Sequence, residues 1–249
     1  MSFQNKTVII TGGASGMGRR SAECYTAEGA NVVLADINEA ALIELCAEIN
    51  AKGKGKAIYS VCDVRVYDQV QKTADLAVEA FGSIDILLNF AGGFELRMCN
   101  CDKAFPETPI EVFDWGIDVN LKGPYYFARA VCPQMVKQHS GVIINLGSVT
   151  GAEGSPYGMA YPSAKAGIMT GLTKSIAQFG FDHNIRCVCV SPGPVMTRPA
   201  MANMKTGLGR AAETQEVVDF IMYLTSEKAA AITGSNHFID CGRETLPHR

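Results

Sequence analysis

Lys6-Thr7-Val8-Ile9-Ile10-Thr11-Gly12-Gly13-Ala14-Ser15-Gly16-Met17-Gly18 runs a short apolar stretch directly into a glycine loop. The β-branched run reads as a buried strand, and the amphipathic pattern from Gly16 to Glu28 reads as the helix that follows it. Glycines between a strand and a helix let backbone come close to a ligand, and the helix end offers unpaired N–H groups and a positive dipole end to an anion. Gly12, Ser15, Gly16, Met17 and Gly18 are therefore candidate contacts for a pyrophosphate. The spacing Gly-x-x-x-Gly-x-Gly differs from Gly-x-Gly-x-x-Gly, so that fingerprint is not matched literally, and a plain glycine-rich turn is the lesser competing reading.

Working outward, strand patterns recur at Asn31 to Asp36, Ala57 to Cys62, Ile84 to Asn89, Val142 to Gly147, Ile185 to Val190 and His237 to Asp240. Several are continuous Val/Ile/Leu runs, as expected of strands covered on both faces. Helical patterns lie between them, at Glu39 to Ala51, Tyr67 to Phe81, Ile110 to Lys137, Tyr157 to Phe179 and Glu213 to Leu224. Strict alternation predicts an α/β fold: a doubly wound, Rossmann-like parallel sheet of about seven strands with helices on both faces. Ligands on such sheets bind at the carboxyl ends of the strands. Gly92 to Thr108 and Pro192 to Ala212 show no clear pattern, and loops of that length are candidate pocket walls.

The 249 residues suit one domain spanning 1–249, with no repeat and no linker. A net charge of -3 with scattered lysines argues against nucleic acid. No apolar run approaches the ~18 residues that span a bilayer, and no basic leader precedes the first strand, so a cytoplasmic protein is expected. Nine cysteines, an odd number, read as free thiols. Cys187 and Cys189 share one strand face, and Cys99-x-Cys101 lacks a second ligand pair, so no metal site is predicted.

Asp36 closes the second strand about twenty residues beyond the loop, where an acid accepts hydrogen bonds from an adenosine ribose. The same carboxylate repels a 2′-phosphate, which predicts NAD rather than NADP, although Asp36 also suits a cap for the helix starting near Asn38. Asp63-Val64 follows the third strand, with Asp63 placed to reach an adenine amino group. Asn89-Phe90-Ala91-Gly92 ends the fourth, where Asn89, Ala91 and Gly92 bring small residues and backbone to the ligand or form a tight turn.

Tyr161 and Lys165 are the chain's only Tyr-x-x-x-Lys pair, thirteen residues beyond Ser148. Four residues apart on a helix, they lie on one face. A free phenol has a pKa of about 10. A neighbouring ammonium favours the phenolate, so Lys165 is expected to lower Tyr161 until it exchanges protons near neutrality, with Ser148 holding the substrate oxygen.

With these parts in this order the chain resembles a compact, single-domain short-chain dehydrogenase/reductase, from Thr11 to Gly242. The family's pyrophosphate loop, Thr-Gly-x-x-x-Gly-x-Gly, is filled by Thr11, Gly12, Gly16 and Gly18. Its catalytic residues fall on Ser148, Tyr161 and Lys165, and the segment Val119-Asn120-Leu121-Lys122-Gly123 nominates Asn120 as support for a proton relay. Lys165 would also hold the nicotinamide ribose. Pro192-Gly193-Pro194-Val195-Met196-Thr197 resembles the family's nicotinamide-contacting segment and nominates Pro192, Gly193, Val195 and Thr197. Two departures stand out: Phe90 where the family has a second Asn, and Cys241 in its terminal Asp-Gly-Gly.

The resemblance implies an NAD(H)-dependent oxidoreductase of secondary alcohols or ketones, with homotetramers common. Small residues Ala164, Gly167 and Gly171 would suit packing against a partner. For the substrate, Phe94, Leu96, Met159, Met196, Met201 and Met204 suggest a steroid or other alicyclic ring, while Glu153 suggests a polyol or sugar. A 3-oxoacyl thioester reductase, or a non-catalytic dinucleotide sensor, are the remaining alternatives.

Overall fold

The glycine loop leaves the centre of a seven-stranded parallel sheet ordered β3-β2-β1-β4-β5-β6-β7. The computed structural model describes residues 2–246. The strands are β1 (Thr7–Thr11), β2 (Asn31–Asp36), β3 (Ala57–Val61), β4 (Ile86–Asn89), β5 (Gly141–Leu146), β6 (Ile185–Pro192) and β7 (Asn236–Ile239). Helices α1 (Gly16–Ala27), α2 (Glu39–Lys52) and α3 (Tyr67–Phe81) follow the first three strands. After β4 come α4 (Glu95–Met98), α5 (Ile110–Ile117) and α6 (Gly123–Gln138), and after β5 come α7 (Thr150–Glu153), α8 (Ala160–Ala166) and α9 (Thr173–Gly180). Helix α10 (Thr214–Thr225) precedes β7.

Alternation along the strands builds two cores. Val8, Ile10, Val32, Leu34, Leu88 and Val190 pack on one face against α1, α2 and α10. Ile9, Val33, Leu87, Ile143 and Cys187 pack on the other against α3, α6 and α9. Side chains of successive strand residues point to opposite faces, so a run apolar at every position must be covered twice. The strand order reverses between β1 and β4, where connections leave in opposite directions and open a crevice.

The two long helical patterns are each interrupted. A π-helical segment, Asp118–Lys122, joins α5 to α6, and another, Gly167–Leu172, joins α8 to α9. The second helix starts at Ala160, not at the expected Tyr157, which is exposed ahead of it. Both loops without a clear sequence pattern acquire local order. The first contains α4, and the second contains a 3-10 turn at Pro199–Asn203 and is closed by pairing of Val195 with Ala212.

Candidate active site

The carboxyl ends of β1 through β6 bring the expected residues to one edge of the sheet. A cleft of about 360 Å³ is lined by Gly12, Ser15, Gly16, Met17, Gly18, Asp36, Asp63, Val64, Ala91, Gly92 and Thr197. At its floor Thr11 Oγ1 accepts from the Phe90 and Ala91 amides, both at 2.9 Å, and so ties the glycine loop to the turn after β4. Gly12 and Gly16 take φ of +63° and +51°, which side chains rarely adopt, and the α1 N-terminus opens onto the cleft with no side-chain cap on its free amides. That cradle fits a dinucleotide pyrophosphate. Asp36 Oδ2 accepts from Ala14 N at 3.1 Å and Oδ1 from Asn38 N at 3.1 Å, so the acid is braced at the cleft wall. Asn38 itself caps α2 by accepting from Ala41 N. The Asp63 carboxylate pairs with Arg65 at 2.6 Å, which holds it below the usual carboxylate range. Arg65 also lines the cleft, a contact sequence reasoning missed.

Besides Tyr161 and Lys165, four expected contacts lie outside this lining. The Asn89 side chain is buried beneath the cleft, where Nδ2 donates to Asn145 Oδ1 at 2.9 Å and to the Pro124 carbonyl at 3.4 Å. Its strand position turns the amide into the sheet layer, where the side chain ties β4 to β5 and α6. Pro192 accepts from Val149 N, Gly193 donates to the Ile239 carbonyl, and Val195 is buried against Ala212. These three stitch the loop to the sheet and leave Thr197 to face the cleft, 3.6 Å from the space a Cβ at Gly16 would take.

Ser148 follows the end of β5 and Tyr161 stands in the first turn of α8, with the Ser148 side chain near enough to favour the ionised phenol. Ser148 Oγ also accepts from Thr150 N at 3.2 Å. Burial pushes the Tyr161 phenol above its ordinary value; the Ser148 hydrogen bond opposes this most, followed by the charges of Arg198 and Arg97. The sequence expectation casts Lys165 as the acidifying cation. Its Nζ donates to the Leu146 carbonyl at 2.6 Å, 5.5 Å from the centre of the Tyr161 ring, and burial pushes it down to about 8.

Asn120 sits in the first π-helical segment and is fully buried. Oδ1 accepts from Gly93 N at 3.0 Å, while Nδ2 donates to the Gly93 and Gly116 carbonyls at 3.0 and 2.8 Å. A Cβ on Gly92 would lie 2.5 Å from Asn120 Oδ1 and 3.7 Å from Lys165 Nζ, so the two side chains converge on this turn.

Glu95 carried no sequence signal, because an acid in an irregular loop ordinarily faces water. Here it is 1% exposed. Its Oε1 accepts from Ala160 N at 2.9 Å and its Oε2 from Tyr161 N at 3.1 Å. Met159, at the N-cap of α8, has no acceptor to offer, so a side chain 65 and 66 residues away caps the helix that carries Tyr161.

Of the residues suggested for the substrate wall, Phe94 lies edge-on to Tyr161 with ring centres 6.2 Å apart. Glu153, the polyol signal, is engaged instead by the Arg243 fork at 2.9 and 3.0 Å. Cys101 donates weakly to the Lys103 carbonyl at 3.5 Å, and among the described residues no His/Cys/Asp/Glu cluster is suited to hold a metal.

A parallel sheet with a glycine cradle at its switch point and a Ser/Tyr pair on the adjoining strand and helix defines a dinucleotide-dependent oxidoreductase. The family profile described as short chain dehydrogenase matches residues 6–207, and the chain belongs to that family. It is similar to trans-4-hydroxycyclohexanecarboxylate dehydrogenase of Sinomonas cyclohexanicum, 37% identical over 95% of this chain and 92% of that one. It is also similar to 7alpha-hydroxysteroid dehydrogenase of Bacteroides fragilis, 32% identical over 96% and 95% of the two chains. Among solved structures, a 3-oxoacyl-[acyl-carrier protein] reductase from Brucella melitensis with bound NAD superposes with a TM-score of 0.88 at 30% identity, covering 98% of this chain and 93% of that chain.

Proposed function

We propose that the chain oxidises an alicyclic secondary alcohol, or reduces the matching ketone, with NAD(H). The observation that carries this reading is the Ser148–Tyr161 hydroxyl pair beside a glycine cradle whose wall bears the carboxylate of Asp36. Bound NAD supplies the hydride acceptor. In oxidation, Ser148 holds the substrate oxygen and Tyr161 as phenolate takes the hydroxyl proton, while the carbinol carbon loses a hydride and becomes a carbonyl. Reduction returns both. Lys165, fixed on the Leu146 carbonyl, faces the cradle turn and is placed to hold a ribose hydroxyl, and Asn120 keeps the Gly92–Gly93 turn in place for it. General acid–base help of this kind contributes roughly 10²–10⁴-fold.

The ring-alcohol preference is supported by the hydroxy-ring substrates in the names of the Sinomonas and Bacteroides relatives and by Phe94 beside the phenol. Asp36 favours NADH over NADPH, and Glu153 held by Arg243 no longer argues for a polyol. Tyr161→Phe is expected to abolish NADH production from cyclohexanol-type substrates while NADH still binds. Survival of turnover with loss of NADH binding would sink the role. A dinucleotide sensor without catalysis would show no turnover in the unmutated protein across a panel of ring alcohols.

A homo-oligomer built on the α8–α9 segment completes the proposal. Gly171 faces open space and Phe179 is half exposed, whereas Ala164 is fully buried within its own chain and is removed from the expected contact face. Light scattering at a single-chain mass of 26.6 kDa would refute it. Among the described residues no helix is long and apolar enough to cross a membrane, and nine free cysteines suit the reducing cytoplasm.

A further inference from the structure

Arg243 lies past the last strand, in the kind of tail that is ordinarily held loosely, yet every nitrogen of its guanidinium is engaged. Nε donates to Glu153 Oε1 at 2.9 Å and Nη2 to Glu153 Oε2 at 3.0 Å, while Nη1 donates to the Lys205 carbonyl at 3.3 Å. The two charged side chains are only 22% and 17% exposed, so water competes weakly for the fork. A guanidinium can serve a carboxylate on one edge and a carbonyl on another because its donors are fixed in one plane. The backbone beneath it is set in advance. Buried Asp240, just past β7, accepts from Gly242 N at 2.9 Å and from Glu244 N at 2.7 Å, and Leu208 N donates to the Cys241 carbonyl at 2.9 Å.

Its two partners belong to different walls of the site. Glu153 ends α7, five residues beyond Ser148. That turn is packed against the helix of Tyr161 and Lys165, for a Cβ on Gly151 would lie 2.9 Å from both Ala166 N and the Lys165 carbonyl carbon. Lys205 belongs to the loop after β6. This loop leaves the sheet at Val195, which pairs with Ala212, turns Thr197 to the cofactor cleft and then makes its 3-10 turn. Among the described residues, 198–204 hydrogen-bond only with one another, so the next fixed point is the Lys205 carbonyl. The segment therefore runs from the cofactor cleft to α7, and it carries Met201 and Met204 of the expected substrate wall.

We infer that Arg243 is a positioning residue for the reaction: it clamps the far end of segment 198–204 onto α7 and so sets the substrate wall against Ser148 and Tyr161. It acts through that wall and takes no part in the proton or hydride step. The inference rests on Ser148 and Tyr161 being the reacting pair of the proposed alcohol oxidation, and not on which ring is bound. Without the clamp the segment hangs between the Val195–Ala212 pairing and the Leu208 amide. The glycine cradle, on the far side of the cleft, keeps its shape, so the loss falls on the substrate.

The test breaks the clamp from either end in the full chain, with R243Q and E153A, and uses R243K as the conservative variant. Trypsin cleavage after the exposed Lys205 is timed and divided by cleavage after Lys54, exposed between α2 and β3. General loosening raises both rates and cancels in the ratio, whereas release of the clamp raises only the first. R243Q and E153A are expected to raise the ratio by about tenfold, the worth of a charge-assisted hydrogen bond, and R243K, which keeps the charge without the fork, by less. With cyclohexanol and NAD, R243Q is expected to raise KM by about tenfold and lower kcat by less than about threefold, with NADH affinity by fluorescence within about twofold. R243K is expected to recover part of the KM. An unchanged cleavage ratio in R243Q overturns the clamp. A raised ratio with unchanged KM overturns the positioning role and leaves a contact that serves stability alone. A protein that binds NADH but oxidises no ring alcohol sinks the ring-alcohol reading, and the cleavage ratio then decides the clamp by itself.

Discussion

Removing the Glu95 carboxylate should destabilise the fold and misplace Tyr161 together. In Glu95→Ala the Ala160 and Tyr161 amides lose acceptors now at 2.9 and 3.1 Å, and Met159 offers no replacement cap. An orphaned buried donor costs about 1–3 kcal/mol, and loss of a helix cap about 0.5–2 kcal/mol, so a total near 3 kcal/mol is expected. For a chain of this size each kcal/mol lowers Tm by about 2–4 °C, which predicts a fall of roughly 6–12 °C by calorimetry. Glu95→Gln keeps one acceptor but turns an NH2 toward the other amide, and should lose about half as much. Turnover should fall further than stability suggests at assay temperature, because displacing a reacting group by about 1 Å costs up to 10²-fold. The space for Glu95 depends on Gly158, where an added Cβ would lie 2.6 Å from Oε1. Gly158→Ala should therefore reproduce the Glu95→Gln effect. A Glu95→Ala protein whose Tm moves by less than about 1 °C and whose kcat stays within about twofold would refute the capping argument.

The pH profile follows from the raised phenol. Tyr161 must be deprotonated to accept a proton, and burial shifts its titration upward, so kcat/KM for oxidation should climb with pH on the alkaline side of neutrality. Arg198→Gln removes a charge that favours the phenolate, and should move that limb to higher pH; a limb displaced downward would contradict it. Asp36→Ala should raise the NADH dissociation constant by roughly 10–100-fold, the worth of charge-assisted hydrogen bonds, while relaxing discrimination against NADPH. Unchanged NADH affinity by fluorescence titration would show that Asp36 serves only the Ala14 and Asn38 amides.

Periodicity and local chemistry were enough to place the architecture. Continuous apolar runs such as Val8-Ile9-Ile10 and Ile143-Ile144 require cover on both sheet faces, and glycines after a strand require a backbone turn toward a ligand, whatever lies elsewhere in the chain. The same local reasoning places Ser148 at a strand end and Tyr161 on a helix face. Tertiary packing decided what charge and direction each group carries. Asn89 is a site residue by sequence position yet turns into the sheet toward Asn145, since strand register fixes which way its amide points. Lys165 lies one helical turn from Tyr161, and packing fixes its ammonium on the Leu146 carbonyl, 5.5 Å from the centre of the Tyr161 ring. Glu95 becomes the cap of α8 only because the chain folds back across 65 residues. Hydrogen-bond direction and electrostatic neighbourhood are properties of three-dimensional proximity, which no spacing along the chain encodes.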